Sequence, residues 1–281
     1  MRPALYVVGT PIGNLEDITV RALRVLKEVD LIACEDTRQT QKLLTHYAIS
    51  TPKISYHEHN EITRSAELVK QMQEGASVAL VTDAGMPGIS DPGYRLITLA
   101  IRHHLPIVPI PGPSAFLVAL VASGLSTDSF LFQGFLPAKR GERRAVLEQL
   151  KNSPATQMFY EAPHRISETL EDVVEILGTE RHVVVAREVT KLHEEFLRAP
   201  AGEVLEMLRL RAAVKGEITL LIGKAEVRES GIEQPARVNV RQRIDQIMAE
   251  QKIDEKSALK KVARERGISK SEAYRELQRT R

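Results

Sequence analysis

The chain has little cysteine and no long apolar run, and both absences narrow the class of protein. Its 281 residues include one cysteine, Cys34, which excludes an internal disulfide and favours a reducing cytoplasm. No apolar run approaches the roughly 18 residues that a transmembrane helix requires. The N-terminal residues lead directly into a strand pattern and lack the apolar core of a signal peptide. We therefore expect a cytoplasmic protein that does not enter the membrane.

Several common catalytic motifs are also missing. No Cys/His cluster has the spacing of a zinc site, and HEHNE at 57–61 matches no known zinc pattern, so we expect no metal. The loop GTPIGN at 9–14 lacks the glycine spacing of dinucleotide-binding and P-loop proteins. No Ser-His-Asp order or nucleophile elbow is evident. Two interpretations of HEHNE stay open, which are contacts to a substrate and the capped start of a helix.

The most informative segment is a loop rich in glycine and proline at 83–93, with the sequence DAGMPGISDPG. It follows a short apolar run at 76–81 that predicts a buried strand, and an amphipathic segment at 94–103 then predicts a helix. Glycine lets a backbone approach a ligand closely, and proline fixes the turn. Because ligands of open α/β sheets bind beyond the carboxyl ends of strands, we predict a ligand site here. A plain strand-to-helix turn is the alternative.

Strand and helix patterns alternate along most of the chain, which is typical of an α/β fold with a mostly parallel sheet. The pattern restarts after Gly124, and a linker at 224–238 precedes three short helix patterns. We predict two α/β domains, at 1–112 and 113–225, with a ligand in the cleft between them. A small helical module of the helix-turn-helix type follows at 236–281.

The net charge of +2 is unevenly distributed along the chain. Residues 236–281 carry 13 Lys or Arg and 7 Asp or Glu, a net charge of +6, and the rest of the chain has a net charge of −4. A basic module on a mildly acidic body suggests a polyanionic partner, although a solvated helical surface has a similar composition. The candidate contacts are Arg241, Arg243, Lys260, Lys261, Arg264, Lys270 and Arg275.

Charged residues gather where other predicted strands end. EDTR at 35–38 could orient a polar substrate or a phosphate, or it could cap the next helix through Asp36 or Thr37. YEAPHR at 160–165 and REVTK at 187–191 follow strands of the second half. Each segment alone could be a surface turn, but together they favour one shared cleft.

Five segments, in order along the chain, resemble the tetrapyrrole-methylase superfamily of S-adenosylmethionine (SAM) enzymes. They are GTPIGNL at 9–15, EDTR at 35–38, the loop at 83–93, PGPSA at 111–115 and YEAPHR at 160–165. The resemblance covers nearly the whole chain and is closest to members that act on small-subunit ribosomal RNA. It implies two α/β domains with SAM between them, usually in a homodimer. It also implies methyl transfer to the ribose 2′-hydroxyl of a cytidine in the decoding region of 16S rRNA, in the small ribosomal subunit.

The resemblance further implies which residues bind the cofactor. A proline that lines the cofactor falls on Pro11, and the family's Gly-Gly-Asp-Pro loop falls on 84–87. Because Met86 stands where the tetrapyrrole enzymes have aspartate, any side-chain bond from that aspartate is missing, and backbone groups could replace it. The expected cofactor contacts are Pro11, Ala84, Gly85, Met86, Ile89, Ser114, Ala115, Glu161 and Val189.

Three functions compete on the sequence alone. They are an RNA 2′-O-methyltransferase, a small-molecule tetrapyrrole methylase of the same fold, and a non-catalytic nucleotide-binding regulator. The basic module favours the first and the third, and catalysis is favoured by a polar cluster of Glu35, Asp36, Arg38, His57 and His59. A ribose hydroxyl is weakly acidic, so its methylation calls for a base or an orienting network. We predict that Arg38 positions RNA and that Asp36 or His57 assists proton removal.

Overall fold

The computed structural model describes residues 1–225, 240–265 and 269–279 of the chain. The chain divides into two compact units, Met1–Ala225 and Glu226–Arg281. The first unit contains two five-stranded sheets, and the described part of the second contains three helices. Among the described residues, no helix has the length and apolar character needed to cross a membrane.

The first sheet consists of the strands that the apolar runs predict. These are β1 (Ala4–Val8), β2 (Leu31–Cys34), β3 (Lys53–Ser55), β4 (Ser77–Val81) and β5 (Ile107–Ile110), in the order β3-β2-β4-β1-β5. All neighbouring strands are parallel. Every residue of β1 and β4 is buried, as expected for a parallel sheet that helices cover on both faces. The loops that follow these strands therefore meet at one edge of the sheet.

The second sheet is mixed, unlike the fully parallel first sheet. Its strands are β6 (Phe130–Phe135), β7 (Thr156–Glu161), β8 (His182–Arg187), β9 (Glu195–Pro200) and β10 (Ile218–Ile222), in the order β6-β7-β10-β8-β9. Only β6 and β7 pair in parallel, and the α/β class that the sequence predicts for this half is confirmed. The sequence does not predict β9, because Glu195, Arg198 and Pro200 interrupt its apolar pattern.

Eight helices pack against the sheets within the first unit. They are α1 (Val20–Glu28), α2 (Thr37–His46), α3 (Glu61–Gln73), α4 (Tyr94–Arg102), α5 (Ala115–Ser123), α6 (Arg140–Leu150), α7 (Ile166–Leu177) and α8 (Ala201–Arg209). Helices α1 and α2 bury their apolar residues on one face of the first sheet, and α3 and α4 bury theirs on the other. Helix α1 begins later than its apolar pattern suggests because the Thr19 side chain accepts a hydrogen bond from the Ala22 N–H and caps it.

The loops after β1 and β5 approach each other at Gly9 and Gly112. A Cβ built on Gly9 would lie 2.7 Å from the Cα of Gly112, and a Cβ on Gly112 would lie 2.7 Å from the Cα of Gly9. Only glycine fits at such a close backbone contact. The pair thereby brings the segment with Ser114 and Ala115 beside the loop that follows β1.

The two sheets lie on opposite sides of the predicted domain boundary between residues 112 and 113. Ile12 from the first half nevertheless packs in one apolar cluster with Ala119, Val184 and Leu221 from the second. The two halves therefore form one packed body, and the division into domains at 1–112 and 113–225 stays a prediction.

The described part of the second unit consists of α9 (Val240–Gln251), α10 (Glu255–Glu265) and α11 (Lys270–Arg279). These are the three helices that the sequence predicts within 236–281, and most of the predicted linker at 224–238 lies outside the described residues. Exposed Lys256, Lys260 and Arg264 are spaced four residues apart, so they share one face of α10. The core of this unit contains Ile244, Ile247, Ala258, Leu259, Val262, Ala263, Ala273 and Leu277.

Candidate active site

A cavity of about 410 Å³ lies where strand ends of both sheets meet in the first unit. Glu35 follows β2, the loop at 83–93 follows β4, and Ser114 and Ala115 follow β5. The second sheet contributes the ends of β7 and β8 and the start of β10. The structure therefore places a concave site where the sequence predicts one, beyond the carboxyl ends of parallel strands.

The glycine-rich loop is fixed in place by bonds to the loop after β1. The Gly85 N–H donates to the Thr10 carbonyl at 3.1 Å, and the Thr10 N–H donates to the Gly85 carbonyl at 2.9 Å. Gly85 has a φ of 83°, which is a conformation that glycine adopts without strain. Ser90 has a φ of 62°, so the backbone is strained at one point where this loop forms the cavity wall.

Three carboxyl groups line one part of the cavity: Glu35, Asp83 and Asp91. The Thr82 hydroxyl donates to Glu35 Oε2 at 2.8 Å. Burial raises the pKa of Asp83. Burial, together with the negative charge of Glu35, raises the pKa of Asp91 to about 6. Because carboxylates that repel one another gain stability from a positive charge, this part of the cavity is suited to a cationic ligand.

The structure brings together all but one of the residues that the sequence predicts for the cofactor. Pro11 is the exception, since it lines an adjoining cavity of about 400 Å³ that shares Ile12, Asp83 and Ala84 with the first. The predicted residues that line the main cavity are Ala84, Gly85, Met86, Ile89, Ser114, Ala115, Glu161 and Val189. Their contacts to a cofactor stay a prediction.

Met86 uses its side chain for packing. A Cβ built on Gly9 would lie 2.7 Å from the Met86 sulfur, and Met86 also packs on the apolar cluster beneath α3 and α4. The side chain thus fills space beside the Gly9–Gly112 contact. Backbone groups of the loop and the carboxyl of Asp91 remain available to a ligand at this position.

Glu161 lines the cavity, but its carboxylate is already engaged. It is buried and accepts hydrogen bonds from the Thr169 hydroxyl at 2.7 Å, the Ala162 N–H at 2.7 Å and the Arg165 guanidinium. These bonds hold the turn after β7 in place. A role for Glu161 in ligand binding would therefore act through the shape of the wall.

The predicted catalytic residues Asp36, Arg38 and His57 are not among the lining residues of this cavity. Asp36 caps α2 by accepting from the Arg38 N–H at 2.8 Å, and its N–H donates to Asp83 at 3.1 Å. Its backbone thus touches the cavity wall, while its carboxylate is turned to Arg38. The His57 Nδ1 is buried, with no hydrogen-bond partner in the part of the chain described. Catalytic roles for these residues stay a prediction.

Three features of the cavity were not predicted from the sequence. Asp91 follows a serine in a loop whose glycines dominate the pattern, and its burial emerges only in the folded chain. Phe135 lies at the end of β6, beyond the strand that the apolar run at 129–132 predicts. Residues 216–219 reach the cavity because β10 runs antiparallel to β7 and β8, which the alternating pattern does not reveal.

Comparison with known proteins places the chain in a family. A model of the tetrapyrrole (corrin/porphyrin) methylases matches residues 4–205. The chain therefore belongs to the tetrapyrrole methylases, which confirms the family and the fold class that the sequence motifs predict.

Within that family, the chain is similar to proteins named ribosomal RNA small subunit methyltransferase I. The relative from Halalkalibacterium halodurans is 48% identical over 274 residues, which cover 96% of this chain and 93% of the relative. The relative from Escherichia coli O157:H7 is 46% identical, over 81% of this chain and 80% of the relative.

Solved structures share the fold at low sequence identity. Uroporphyrin-III-C-methyltransferase from Thermus thermophilus matches 78% of this chain and 94% of its own, with a TM-score of 0.56 and 20% identity. Diphthine synthase matches 78% of this chain and 89% of its own, with a TM-score of 0.59 and 14% identity. At these identities, the likeness is evidence of the fold alone.

Proposed function

We propose that this chain transfers a methyl group from SAM to the ribose 2′-hydroxyl of a cytidine in the decoding region of small-subunit (16S) ribosomal RNA. As a tetrapyrrole methylase, it is a SAM-dependent methyltransferase. The similarity to small-subunit methyltransferases over most of the chain supports ribosomal RNA as the substrate. The observation that carries the proposal is the cavity beyond β4, which combines carboxyl groups with apolar walls.

The residues of the cavity fit SAM. Its methionine part carries an ammonium, a sulfonium and a carboxylate, with a net charge of +1, and the carboxyls of Glu35, Asp83 and Asp91 would attract its two cationic groups. Its adenine needs an apolar slot, which Ile12, Met86 and Val189 supply together with the backbone of residues 216–219. Among the described residues, no group of His, Cys, Asp or Glu is arranged to hold a metal.

When bound, SAM supplies a methyl group attached to a positively charged sulfur. The chain must hold the ribose hydroxyl against that methyl group and provide for removal of the hydroxyl proton. The Asp36 carboxylate is a weak base, because the Arg38 guanidinium and backbone N–H lower its pKa to about 2. Arg38 is exposed beside the cavity wall and is placed to contact an RNA phosphate. His57 keeps its role as the second candidate for proton removal.

The helical module supports RNA over a tetrapyrrole as the substrate. Lys256, Lys260 and Arg264 present a row of positive charge on α10, and a small-molecule enzyme has no need of such a row. Lys and Arg side chains that neutralise phosphates supply sequence-independent affinity for nucleic acid. The module would therefore bind rRNA, while the cavity in Met1–Ala225 carries out the transfer.

We also propose that the protein is a cytoplasmic homodimer. Helix α5 has the sequence AFLVALVAS and is apolar on all sides. Its inner residues Ala119 and Leu120 are buried, whereas Leu117 is 42% exposed and Val121 is 76% exposed. Positions 117 and 121 share one face of the helix, so an apolar stripe is left for a second copy of the chain.

The substrate is tested by offering radiolabelled SAM with three acceptors: undermodified small subunits, protein-free rRNA and a porphyrinogen. We expect label in the small-subunit RNA and none in the porphyrinogen. Label in the porphyrinogen alone would assign the protein to tetrapyrrole methylation. Calorimetry with SAM and with ATP is the control for the cavity, and binding of ATP but not SAM would overturn the cofactor assignment.

A further inference from the structure

Phe135 is an aromatic side chain that folding leaves partly uncovered at the cavity. It is the last residue of β6, it lines the cavity, and it is 58% exposed. Covering an apolar ring lowers the free energy, and folding has left more than half of this ring uncovered. The ring can therefore still gain that free energy by contact with a ligand in the cavity. The exposed ring is therefore suited to stack on a flat, apolar group of a substrate.

Phe135 packs at the end of a row of aromatic rings. Its ring centroid lies 5.6 Å from that of Tyr160, with the planes inclined at 61°. Tyr160 in turn packs edge-on against Phe132 at 4.9 Å, and Phe132 stacks on Phe116 at 4.3 Å. A row of packed rings thus leads from α5 to the cavity wall. Such a ring is ordered before any ligand binds, which lowers the entropy cost of stacking on it.

Phe135 and Asp91 line the same cavity. A Cβ built on Gly134, which precedes Phe135, would lie 3.2 Å from the Ser90 hydroxyl, so β6 touches the loop that carries Asp91. Burial raises the pKa of Tyr160 to about 12, and the charge of Asp91 adds to the shift. Phe135 packs against Tyr160, and Tyr160 is close enough to Asp91 to feel its charge. These three residues therefore share the part of the cavity that is next to Ser90.

We propose that Phe135 is the surface on which the base of the methylated nucleotide stacks, so that this residue positions the ribose for methyl transfer. The proposal rests on the proposed function of the cavity. An enzyme that acts on a nucleotide in a closed site must draw it away from its neighbours, and stacking on an aromatic side chain replaces the lost base stacking. A base on Phe135 would place its own ribose beside Asp91 and the cofactor slot.

The test uses three full-length variants. Phe135→Leu removes the aromatic face and keeps an apolar side chain, and Phe135→Tyr keeps the face. Phe130→Leu is the matched control, since Phe130 is also exposed on β6 but does not line the cavity. For each protein, calorimetry measures SAM affinity, filter binding measures affinity for small subunits, and steady-state kinetics separate kcat from KM.

We expect Phe135→Leu to raise KM for small subunits roughly tenfold to a hundredfold, the range for loss of one stacked base. SAM affinity should stay within twofold, and both Phe135→Tyr and Phe130→Leu should behave as the wild type. Loss of SAM affinity in Phe135→Leu would place the cofactor's adenine on this ring and overturn the proposal. Unchanged KM would also overturn it. Wild-type protein that binds SAM but never methylates subunits would contradict the proposed function instead.

Discussion

Asp36 and Arg38 form a two-point ion pair at the start of α2. The Arg38 Nη2 lies 2.7 Å from Asp36 Oδ2, and its Nε lies 3.1 Å from Oδ1. The same carboxylate caps the helix through the Arg38 N–H. The helix cap and the guanidinium are thus held by one carboxylate, which fixes where the positive charge of Arg38 stands relative to the cavity wall.

Separate substitutions of these two residues distinguish RNA positioning by Arg38 from proton removal by Asp36. Arg38→Ala should lower kcat/KM for small subunits on the order of tenfold, the value of one charge-assisted hydrogen bond. Asp36→Asn preserves the helix cap, because asparagine caps as well as aspartate does. We expect Asp36→Asn to keep kcat within tenfold, measured at saturating SAM. A loss of a hundredfold or more in kcat would instead identify Asp36 as the base.

Asp91 should make SAM binding depend on pH. Its pKa of about 6 means that it is charged at pH 7.5 and largely neutral at pH 5. We expect the affinity for SAM, measured by calorimetry, to fall as the pH drops through 6. Asp91→Asn should weaken binding about tenfold to a hundredfold at pH 7.5 and flatten the pH profile. Asp128→Asn, which alters an exposed carboxylate outside the cavity, is the control and should bind as the wild type does.

The ionised carboxylate of Asp91 should lower the stability of the folded chain when no cofactor is bound. The pKa of Asp91 is higher in the folded chain than its ordinary value of 3.8, so its ionisation above pH 6 disfavours the folded state. Asp91→Asn should therefore raise the unfolding temperature at pH 7.5. The gain should shrink as the pH falls from 6 towards 4, where the carboxyl becomes protonated in the unfolded chain as well. A variant that is less stable than the wild type at pH 7.5 would contradict this account of the cavity.

The buried ion pair between Arg143 and Asp172 should make removal of its carboxylate costly. Arg143 Nη2 lies 2.8 Å from Asp172, and the two side chains are 2% and 0% exposed. Asp172→Asn removes the buried counter-charge of the guanidinium and leaves only the exposed Glu168 carboxylate at 4.0 Å, at a cost of roughly 3–5 kcal/mol in the free energy of unfolding. Glu171→Gln, which removes one of the two carboxylate partners of Arg209, should cost about 0–1 kcal/mol. Urea denaturation of both variants measures the difference.

The row of charge on α10 should determine the salt dependence of subunit binding. A full-length variant with Lys256→Gln, Lys260→Gln and Arg264→Gln loses three cations that share one face of the helix. The slope of log affinity against log salt concentration is negative, and it should become less steep by about 2 to 3 units. Affinity for SAM should be unchanged, since the cavity lies in the first unit. An unchanged slope would assign the module a role other than phosphate binding.

The exposed face of α5 should control association of two copies. Val121→Glu places a charge in the apolar stripe and should shift the protein from dimer to monomer in sedimentation velocity at micromolar concentration. Val20→Glu is the control, because Val20 is 85% exposed on a different helix, α1, and is not part of the stripe. A Val121→Glu variant that sediments as a dimer would rule out this face as the interface.

The sequence predicts the first sheet well because its strands are short, continuous apolar runs that are buried on both faces. It predicts the cavity for the same reason, since the loops after parallel strands meet at one edge. It fails for β9, where Glu195 accepts hydrogen bonds from Arg187 and Arg211 in place of apolar packing. Partners so distant in sequence leave no local periodic signal.

The catalytic cluster shows a second reason why the sequence is insufficient. Charged residues that follow neighbouring strands can either face one cavity or bond to one another. The sequence pattern does not distinguish these two arrangements. Asp36 and Arg38 bond to each other, whereas Asp91, in a glycine-rich loop, is partly buried against Glu35 and Asp83. Burial and charge repulsion are properties of the folded chain, so the group that is suited to a cation was found only in the structure.

Nucleoside mass spectrometry of the product tests the central claim most directly. Small subunits that lack the modification are incubated with SAM and the purified protein, and their RNA is then digested to nucleosides. The account predicts 2′-O-methylcytidine at about one residue per subunit, formed more slowly by the Asp91→Asn variant when the SAM concentration is below that variant's Kd for SAM. Methylation on the cytosine base, or no methylated nucleoside from a protein that binds SAM, would contradict it.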